Sequence, residues 1–255
     1  MVEGLKKASV LDSNIVDILV VYDEIPFSKT GYCQIRRCPL SQRAAFFEYY
    51  TYKLLERGAE IVCLGISSKC LRKNALLNFG DLSYFETYEM QKFKIAIPKK
   101  VTQPSNLRLE LIDLRKDLDR YIELHNKIFV GIDNAAFLRE REFRTLSIKK
   151  NYWINFAIAP EGIVGICEFE ILGSRAVLST VGVAEEARSK GYGEGIVMCA
   201  LKLLKEQGVK KVELMAASSN VRAVSLYEKI GFKKTTVLSK WFKLTNTDKG
   251  KLAYR

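Results

Sequence analysis

The sequence predicts a mixed α/β fold (an α+β mixed sheet) in which helices cover both antiparallel and parallel strands. Residues 153–159 and 163–171 have the composition of strands, and the turn at 160–162 between them is typical of an antiparallel hairpin. From residue 176 to residue 244, strand-like and helix-like segments alternate, which indicates crossover helices packed on a sheet.

The elements of the second half of the chain follow from local patterns. Apolar residues at helical spacing predict a helix within 114–129, and a second one begins near residue 192 and ends at Gly208. A third helix covers 223–230 and stops at Gly231, because glycine commonly follows the last helical residue. Strands are predicted between and after these helices, at 176–183, 212–217 and 235–244.

The length of the chain predicts two domains. It has 255 residues, and about 100–200 residues per domain are usual. The polar segment 97–106 contains Pro98 and Pro104, and proline cannot continue a helix or a central strand. We therefore predict a linker there, between a first domain at 1–98 and a second at 106–250.

Composition excludes a disordered or fibrous chain. Hydrophobic residues make up 48% of the sequence and charged residues 27%, which is normal for a globular protein. The formal net charge is +12, from 41 Lys and Arg against 29 Asp and Glu. Such an excess favours anionic partners, whether nucleic acid, a phosphorylated cofactor or an acidic membrane surface.

The residues that metal or nucleophile chemistry needs are scarce. His125 is the single histidine, which excludes a multi-histidine metal site and disfavours Ser-His-Asp chemistry, so we interpret it as structural. The six cysteines include no Cys-x-x-Cys pair, and we expect buried free thiols and no metal. No run approaches the roughly 20 apolar residues of a membrane span, and we expect a cytoplasmic protein.

A glycine motif, Arg188-x-x-Gly191-x-Gly193, stands between a predicted strand and a predicted helix. A helix N-terminus has unpaired N–H groups and the positive end of the helix dipole, so main-chain donors there bind phosphate. Glycine lets the backbone approach such a ligand because it has no Cβ. Alone, the motif is equally compatible with a plain glycine-rich turn.

Downstream residues make the pattern specific. Asn220 follows Gly193 by 27 positions, and residues 226–232 place Tyr227 in a short helix. In this order, the motifs over residues 107–245 resemble the GNAT superfamily, the Gcn5-related N-acetyltransferases.

The resemblance implies that acetyl-CoA lies in a V-shaped opening between the parallel strands 176–183 and 212–217. The pantetheine arm is expected along the main chain of Val181 and Val183, as an added strand. Asn220 matches the family's polar contact to the cofactor, although it equally fits a helix N-cap. The pyrophosphate is expected on the loop and helix start formed by Arg188, Ser189, Lys190, Gly191, Tyr192, Gly193 and Glu194.

The resemblance also implies a mechanism in which an amine attacks the thioester and Tyr227 protonates the departing thiolate. A tyrosine hydroxyl has an ordinary pKa of about 10, so it is protonated at neutral pH. The alternative for Tyr227 is an amphipathic side chain that packs in the core.

No general base is assigned with the same clarity. Family members often have a glutamate on one of the two splayed strands, but Val177 and Met215 occupy the matching positions here. Glu168 and Glu170 are the nearest acidic candidates and share one face of a strand. The alternative for both is that they are surface residues of that strand.

The N-terminal half resembles a shortened second copy. Residues 53–68 repeat the order of apolar residues, glycine and paired serines found at 202–219, and Gly80 follows this segment by twelve residues. The alternative is that any amphipathic helix before a strand gives such a pattern. The residues with chemical roles are replaced in this copy: Pro39, Gln42 and Ala44 stand for Arg188, Gly191 and Gly193, and Lys69 and Leu76 for Asn220 and Tyr227.

The sequence thus predicts an N-acyltransferase that moves an acetyl group from acetyl-CoA to a small-molecule or peptide amine, with a degenerate N-terminal GNAT domain in tandem. A non-catalytic CoA-binding regulatory module is the first alternative, because the base is missing. A nucleic-acid-binding protein is the second, but no RNP-like aromatic motif supports it. We expect no membrane partner, and the acceptor, the acyl length and the oligomeric state stay open.

Overall fold

The computed structural model describes residues 16–70 and 86–245. Leu76 and Gly80, which the internal alignment uses, lie outside the described residues, as do residues 1–15 of the first predicted domain and 246–250 of the second. Ten strands are formed by the described residues: β1 (Asp17–Val21), β2 (Thr30–Arg37), β3 (Ile61–Ser67), β4 (Glu86–Ala96), β5 (Arg108–Leu111), β6 (Tyr152–Ala159), β7 (Gly162–Leu172), β8 (Arg175–Val183), β9 (Lys211–Ala217) and β10 (Lys233–Thr245).

Helices connect these strands. The described part of the chain has six α-helices: α1 (Ile25–Ser28), α2 (Arg43–Glu56), α3 (Leu118–Phe129), α4 (Glu140–Ser147), α5 (Tyr192–Glu206) and α6 (Val221–Ile230). Short 3₁₀ turns at Leu40–Gln42 and Glu185–Ala187 precede α2 and α5. The predicted helices near residues 114–129, 192–207 and 223–230 are therefore present, with the first beginning at Leu118.

Two compact units make up the structure, and neither is continuous in sequence. Residues 92–98, predicted to close the first domain, belong to the second unit, whereas residues 237–245 belong to the first. The assignment of GNAT-like domains to 1–98 and 106–250 stays a prediction. The first unit contains described residues 16–70, 86–91, 217–219 and 237–245, and the second contains 92–216 and 220–236.

The first unit combines β1, β2 and β3 with residues 86–91 of β4, the end of β10 and helix α2. β2 runs antiparallel to β1 and parallel to β3, and residues 239–245 of β10 run antiparallel to β3. Helix α2 links the parallel pair, and its Phe47 and Leu54 are buried against Ile35 and Ile66 of the strands. Helix α2 followed by β3 matches the first two elements of the helix–strand–helix copy that the internal repeat predicts, and the region of its second helix extends outside the described residues.

The second unit has the mixed sheet that the sequence predicts. Strands β5 to β8 are antiparallel in sequence order, and β8 is parallel to β9. The predicted hairpin joins β6 to β7, where Gly162 adopts a φ of 116° that favours glycine. The fold therefore places a parallel pair at the end of an antiparallel meander.

Each face of this sheet has its own core. Ile196, Ala200 and other apolar residues of α5 pack on the face to which Cys167 and Phe169 of β7 point. Tyr121 of α3 is buried on the opposite face. Successive strand residues point to opposite faces, so neighbours in β7 belong to different cores. The six cysteines are free and buried, as expected.

Candidate active site

Strands β8 and β9 separate partway along their length. Their parallel ladder has four pairs, from Arg175–Lys211 to Leu178–Leu214. Beyond Leu178, β8 stays paired with β7 as far as Val183 but has no ladder partner on β9. The main chain that contains Val181 and Val183 thus borders an opening between two parallel strands.

A β-bulge coincides with the start of this opening. Glu168 of β7 pairs with Thr180, whereas the next residue, Phe169, pairs with Leu178. Ser179 is therefore the extra residue, and a bulge bends the strand that contains it. The exposed side chain of Ser179 lies where β8 parts from β9.

The loop before α5 has an unusual backbone. Ser189 and Gly191 both have positive φ angles, 63° and 81°, and α5 begins at Tyr192 directly after them. Residues 188–191 are exposed. An added Cβ at Gly191 would meet nothing within 4 Å, so the glycine answers a backbone requirement and leaves open space beside the helix start.

Gly193 has a different role from Gly191. A Cβ at this position would lie 3.2 Å from Cδ2 of Leu226, a distance that forces a neighbour to move. Glycine at position 193 therefore lets the first turn of α5 pack closely on α6. In the sequence motif, Gly191 is therefore required by its backbone conformation and Gly193 by the close packing of two helices.

Several side chains of this loop have partners within the protein. Arg188 donates from Nη2 to the carbonyl of Ile128 at 3.3 Å. The Tyr192 hydroxyl donates to Glu161. These contacts fix the loop through its side chains.

Asn220 caps helix α6. Its Oδ1 accepts a hydrogen bond from the N–H of Ala223 at 3.2 Å, which satisfies one of the unpaired donors of the first turn. The N-cap interpretation is therefore confirmed, and the contact to a cofactor stays a prediction.

Tyr227 lies on α6 and is 8% exposed. Its ring centroid is 6.4 Å from that of Phe93 and 5.8 Å from that of Phe232. Burial, reinforced by the nearby Cys167 thiol, raises the pKa of the tyrosine above its ordinary value. Val181 packs against the same apolar cluster. The hydroxyl is thus a proton donor in the core that borders the opening.

Glu168 is not a surface residue, contrary to the alternative considered from the sequence. Its side chain is 3% exposed. It points to the face of the sheet on which helix α3 packs, and Tyr121 of that helix contacts it. Its Oε1 accepts a hydrogen bond from the Tyr121 hydroxyl at 2.6 Å, and its Oε2 accepts one from Tyr152 at 2.5 Å. Glu168 therefore lies on the face opposite to Cys167, whereas Tyr227 shares the Cys167 cluster.

Glu170 differs from Glu168 although both point to the same face. It is half-buried and accepts a long hydrogen bond, 3.4 Å, from Nδ2 of Asn151. Val177, where the family often has glutamate, pairs with Glu170 in the ladder and is half-buried. Met215, the other such position, is 56% exposed and follows the last ladder pair.

Sequence reasoning missed the tyrosines that contact Glu168. Tyr121 is 47 residues away from Glu168 in the chain and Tyr152 is 16 away, so no local motif connects them. The signal that could have found them is structural: an acidic residue in a strand needs donors when a helix covers it.

The described ranges, 16–70 and 86–245, contain no group of three or more His, Cys, Asp or Glu residues that could hold a metal ion. No helix within them is long and apolar enough to cross a membrane.

Comparison with known proteins gives one family match. Residues 118–232 match the model of the acetyltransferase (GNAT) family. Mycothiol acetyltransferase of Renibacterium salmoninarum is 30% identical over 100 residues, which are 39% of this chain and 27% of that protein. An uncharacterized N-acetyltransferase of Methanocaldococcus jannaschii is 23% identical over 201 residues, 70% of this chain and 85% of that protein. The chain thus matches little more than a quarter of the first relative's length.

Solved structures share the fold at low sequence identity. A conserved protein of unknown function from Staphylococcus epidermidis has a TM-score of 0.63 at 12% identity, with 94% of each chain covered. A GCN5-related N-acetyltransferase from Sphaerobacter thermophilus has a TM-score of 0.61 at 13% identity, covering 90% of this chain and 76% of that one. A tandem GNAT protein from the clavulanic acid biosynthesis pathway has 0.56 at 14% identity, covering 90% and 78%. The predicted mixed α/β fold is confirmed.

Proposed function

We propose that this chain, in which residues 118–232 form a domain of the GNAT acetyltransferase family, transfers an acetyl group from acetyl-CoA to an amine. The observation that carries the proposal is the opening between β8 and β9, which begins after the Leu178–Leu214 pair. Unpaired main-chain groups of a strand can bind an extended, amide-containing ligand such as pantetheine.

The residues around the opening fit acetyl-CoA. In the proposal, the main chain at Val181 and Val183 binds the pantetheine arm. The pyrophosphate meets the start of α5, where the left-handed backbone of Gly191 and the helix dipole favour an anion. Lys190 is exposed beside this helix start and adds a positive charge. We propose that the remaining residues of the loop and helix starts form the rest of the acetyl-CoA site: Arg188, Ser189, Tyr192, Gly193, Glu194 and Asn220.

Tyr227 is proposed to protonate the departing thiolate. Its raised pKa keeps the hydroxyl protonated at neutral pH, as an acid requires. Its burial removes competing water from the proton transfer. The packing of its ring does not conflict with this role, because a well-packed ring holds the hydroxyl in place.

Glu168 is proposed to accept the proton that the attacking amine loses. Burial and two hydroxyl partners set it apart from Glu170, which we assign to positioning. The amine attacks from the α3 face and the thiolate leaves toward the α6 face, so the two proton transfers take place on opposite sides of the sheet.

The acceptor is an amine of a small molecule or a protein. Relatives named for their acceptors include a mycothiol acetyltransferase and the [ribosomal protein bS18]-alanine N-acetyltransferase of Escherichia coli, which is 23% identical over 95 residues, 37% of this chain and 64% of that protein. Both acceptor classes belong in the test. Six buried free thiols are consistent with the reducing cytoplasm, where we expect this chain to act.

The test is release of free CoA thiol from acetyl-CoA across amino acids, polyamines, aminoglycosides, amino sugars and peptide N-termini. Amine-dependent release is the expected result. Acetyl-CoA binding without thiol release in the presence of any amine would favour the non-catalytic module. The apolar residues Val177 and Met215, at the positions where the family often has a glutamate, are consistent with that alternative. Absence of both binding and release would contradict the proposal.

A further inference from the structure

Two basic side chains lie side by side at the start of the parallel strand pair. Arg175 of β8 and Lys211 of β9 form the first pair of the ladder, and both are exposed. The residues that follow them, Ala176 and Val212, are buried in the core under α5, so Arg175 and Lys211 point to the α3 face. Like charges on directly opposed strand residues repel each other. Among the described residues, no carboxylate forms an ion pair with either side chain.

Two further lysines lie on the same face. Lys92 and Lys94 of β4 belong to the second unit. Nζ of Lys94 lies 2.9 Å from Oε1 of Glu213, and Lys92 contacts the other carboxylate oxygen. Glu213 follows Lys211 by two residues and therefore points to the α3 face as well. Because two ammonium groups share one carboxylate, one positive charge of this cluster is not compensated.

Glu170 is the other acidic residue on this part of the face. It pairs with Val177, which in turn pairs with Glu213, so an apolar residue separates the two carboxylates. Glu170 is half-buried and accepts a hydrogen bond from Asn151. Four basic side chains against two carboxylates give this part of the face a positive charge. We call the four the basic row: Arg175, Lys211, Lys92 and Lys94.

The basic row lies away from the proposed acetyl-CoA site. That site extends from Val181 and Val183 to the start of α5, beyond the C-terminal end of β8, whereas Arg175 is the first residue of this strand. Because β8 and β9 are parallel, Lys211 lies at the same N-terminal edge. The phosphates of the cofactor and the outer pair of the basic row are therefore at opposite ends of β8, and the row is left for the second substrate.

We infer that the acceptor has an anionic group, a carboxylate or a phosphate, which binds to the basic row while the amine enters the opening. The inference rests on the proposed function and names the acceptor class. That class is an amine with an acidic group on the same molecule, such as an acidic peptide or a phosphorylated amino sugar, rather than a polyamine or an aminoglycoside. The residues of the basic row determine specificity and take no part in the proton transfers.

The spacing of the row sets the length of the acceptor. Ser179 lies where β8 parts from β9, four residues after Arg175. A strand rises by about 3.3 Å per residue, so Arg175 lies about 13 Å from the opening and the ladder partner of Glu213, Val177, about 7 Å from it. An acceptor with its anionic group about 7–13 Å from its amine fits, which is the length of an extended peptide of about two to four residues.

A positive face also suits an amine that has to attack in its neutral form. Nearby positive charge disfavours the ammonium form, so it lowers the pKa of a bound amine and increases the neutral fraction. The anionic group of the acceptor offsets the repulsion that an ammonium group meets on approach to this face. A polycation lacks this compensation, because its other charges would also be repelled by the row.

The test compares matched acceptors with the full chain. Short peptides share an uncharged N-terminal half and have glutamate, glutamine or phosphoserine in the C-terminal half, and glucosamine is paired with its 6-phosphate. Spermidine and an aminoglycoside are the polycationic probes. Thiol release is measured for each at low and at high salt. The glutamate and phosphoserine peptides distinguish a carboxylate from a phosphate as the preferred group.

The matched variants reverse two charges on opposite sides of the sheet. Arg175→Glu with Lys211→Glu changes the first ladder pair, and Lys99→Glu with Lys100→Glu is the control. Both control side chains are exposed, and the carbonyl of Lys99 accepts a hydrogen bond from Lys205 of α5, which places them on the α5 side. The melting temperature shows whether each double variant is folded. The acceptor preference and salt dependence of the wild type test the inference without any variant.

We expect the wild type to have a kcat/KM about tenfold higher for an anionic acceptor than for its neutral partner, roughly the effect of two exposed ion pairs. The difference should lie in KM, because the basic row does not contact the reacting atoms. High salt should reduce the preference, since exposed charges are screened. The double variant of Arg175 and Lys211 should lose or reverse the preference, and the control should keep it.

A wild-type preference for neutral or polycationic acceptors would overturn the inference and leave the proposed function standing. An anionic preference that persists unchanged in the folded double variant of Arg175 and Lys211 would overturn it as well. Absence of wild-type turnover with every amine would overturn the proposed function and the inference with it.

Discussion

Leu178 and Leu214 are the last paired residues of the parallel strands β8 and β9, and the residue after Leu178 is the extra residue of a β-bulge. The bulge bends β8 away from its parallel neighbour while β7 continues to pair with it. One local irregularity therefore opens the sheet, frees main chain along Val181 and Val183, and exposes Ser179 at the entrance.

Acetyl-CoA should raise the melting temperature of the wild-type protein, because a ligand that binds the folded state stabilises it by mass action. Gly191→Val should abolish the shift, since valine disfavours the φ of 81° at the start of α5. The measurement is thermal unfolding with and without millimolar acetyl-CoA.

Gly208→Val is the matched control for this experiment. Gly208 follows the other end of α5, has a φ of 77° and also has no atom within 4 Å of an added Cβ. Both variants should lose about 1–2 kcal/mol of stability from backbone strain. Acetyl-CoA should still raise the melting temperature of Gly208→Val but not that of Gly191→Val. A rise in both variants would show that the cofactor does not bind at the start of α5.

Tyr227→Phe removes one hydroxyl and keeps the ring that packs on Phe93 and Phe232. If the hydroxyl protonates the thiolate, kcat should fall by roughly 10²–10⁴-fold while the acetyl-CoA dissociation constant stays nearly constant. Steady-state thiol release and calorimetric titration provide the two values. Tyr50→Phe, at a buried tyrosine of α2, serves as the control. Equal turnover in all three proteins would assign Tyr227 to packing.

The intact chain should bind one acetyl-CoA rather than two. Gln42, aligned with Gly191, has a φ of −100°, and its N–H already donates to the carbonyl of Pro39 at 3.2 Å. The Arg43 guanidinium donates to the carbonyls of Cys38 and Cys70, which further closes this segment. The start of α2 therefore lacks the left-handed backbone found before α5.

Calorimetric titration of the full chain gives this stoichiometry directly. A value near one, lost in Gly191→Val, is the expected result. A stoichiometry near two in the wild type, falling to one in Gly191→Val, would mean that the first unit has its own site. The alignment of the two copies would then be wrong.

His125 should make the folded state less stable as the pH falls. Burial lowers its pKa more than the nearby Glu168 raises it, so the folded pKa lies below the unfolded value of about 6.5. As the pH drops through about 6.5, the unfolded chain takes up a proton that the folded chain does not, and the free energy of unfolding decreases.

His125→Gln should remove this part of the pH dependence. Urea unfolding of both proteins at about pH 7.5 and about pH 5.5 measures it, within the range where histidine titrates. We expect the wild type to lose more stability than the variant across this interval. Parallel losses would mean that His125 titrates alike in the folded and unfolded states.

The sequence by itself determined the local features of this protein. The hairpin turn at 160–162, the N-cap at Asn220 and the left-handed Gly191 depend on residues adjacent in the chain, so residue type and spacing predict them. The ordered motifs also pointed to the GNAT family, whose model matches residues 118–232.

Tertiary structure alone decided the environment of Glu168 and the place of β10. The carboxylate is buried because Tyr121, 47 residues earlier, packs over it, and the end of β10 joins the first unit by pairing with β3. Such contacts are selected by packing and hydrogen-bond satisfaction over the whole domain. No periodicity within one segment encodes them, so the contacts of Tyr121 and Tyr152 with Glu168 emerge only in the folded chain.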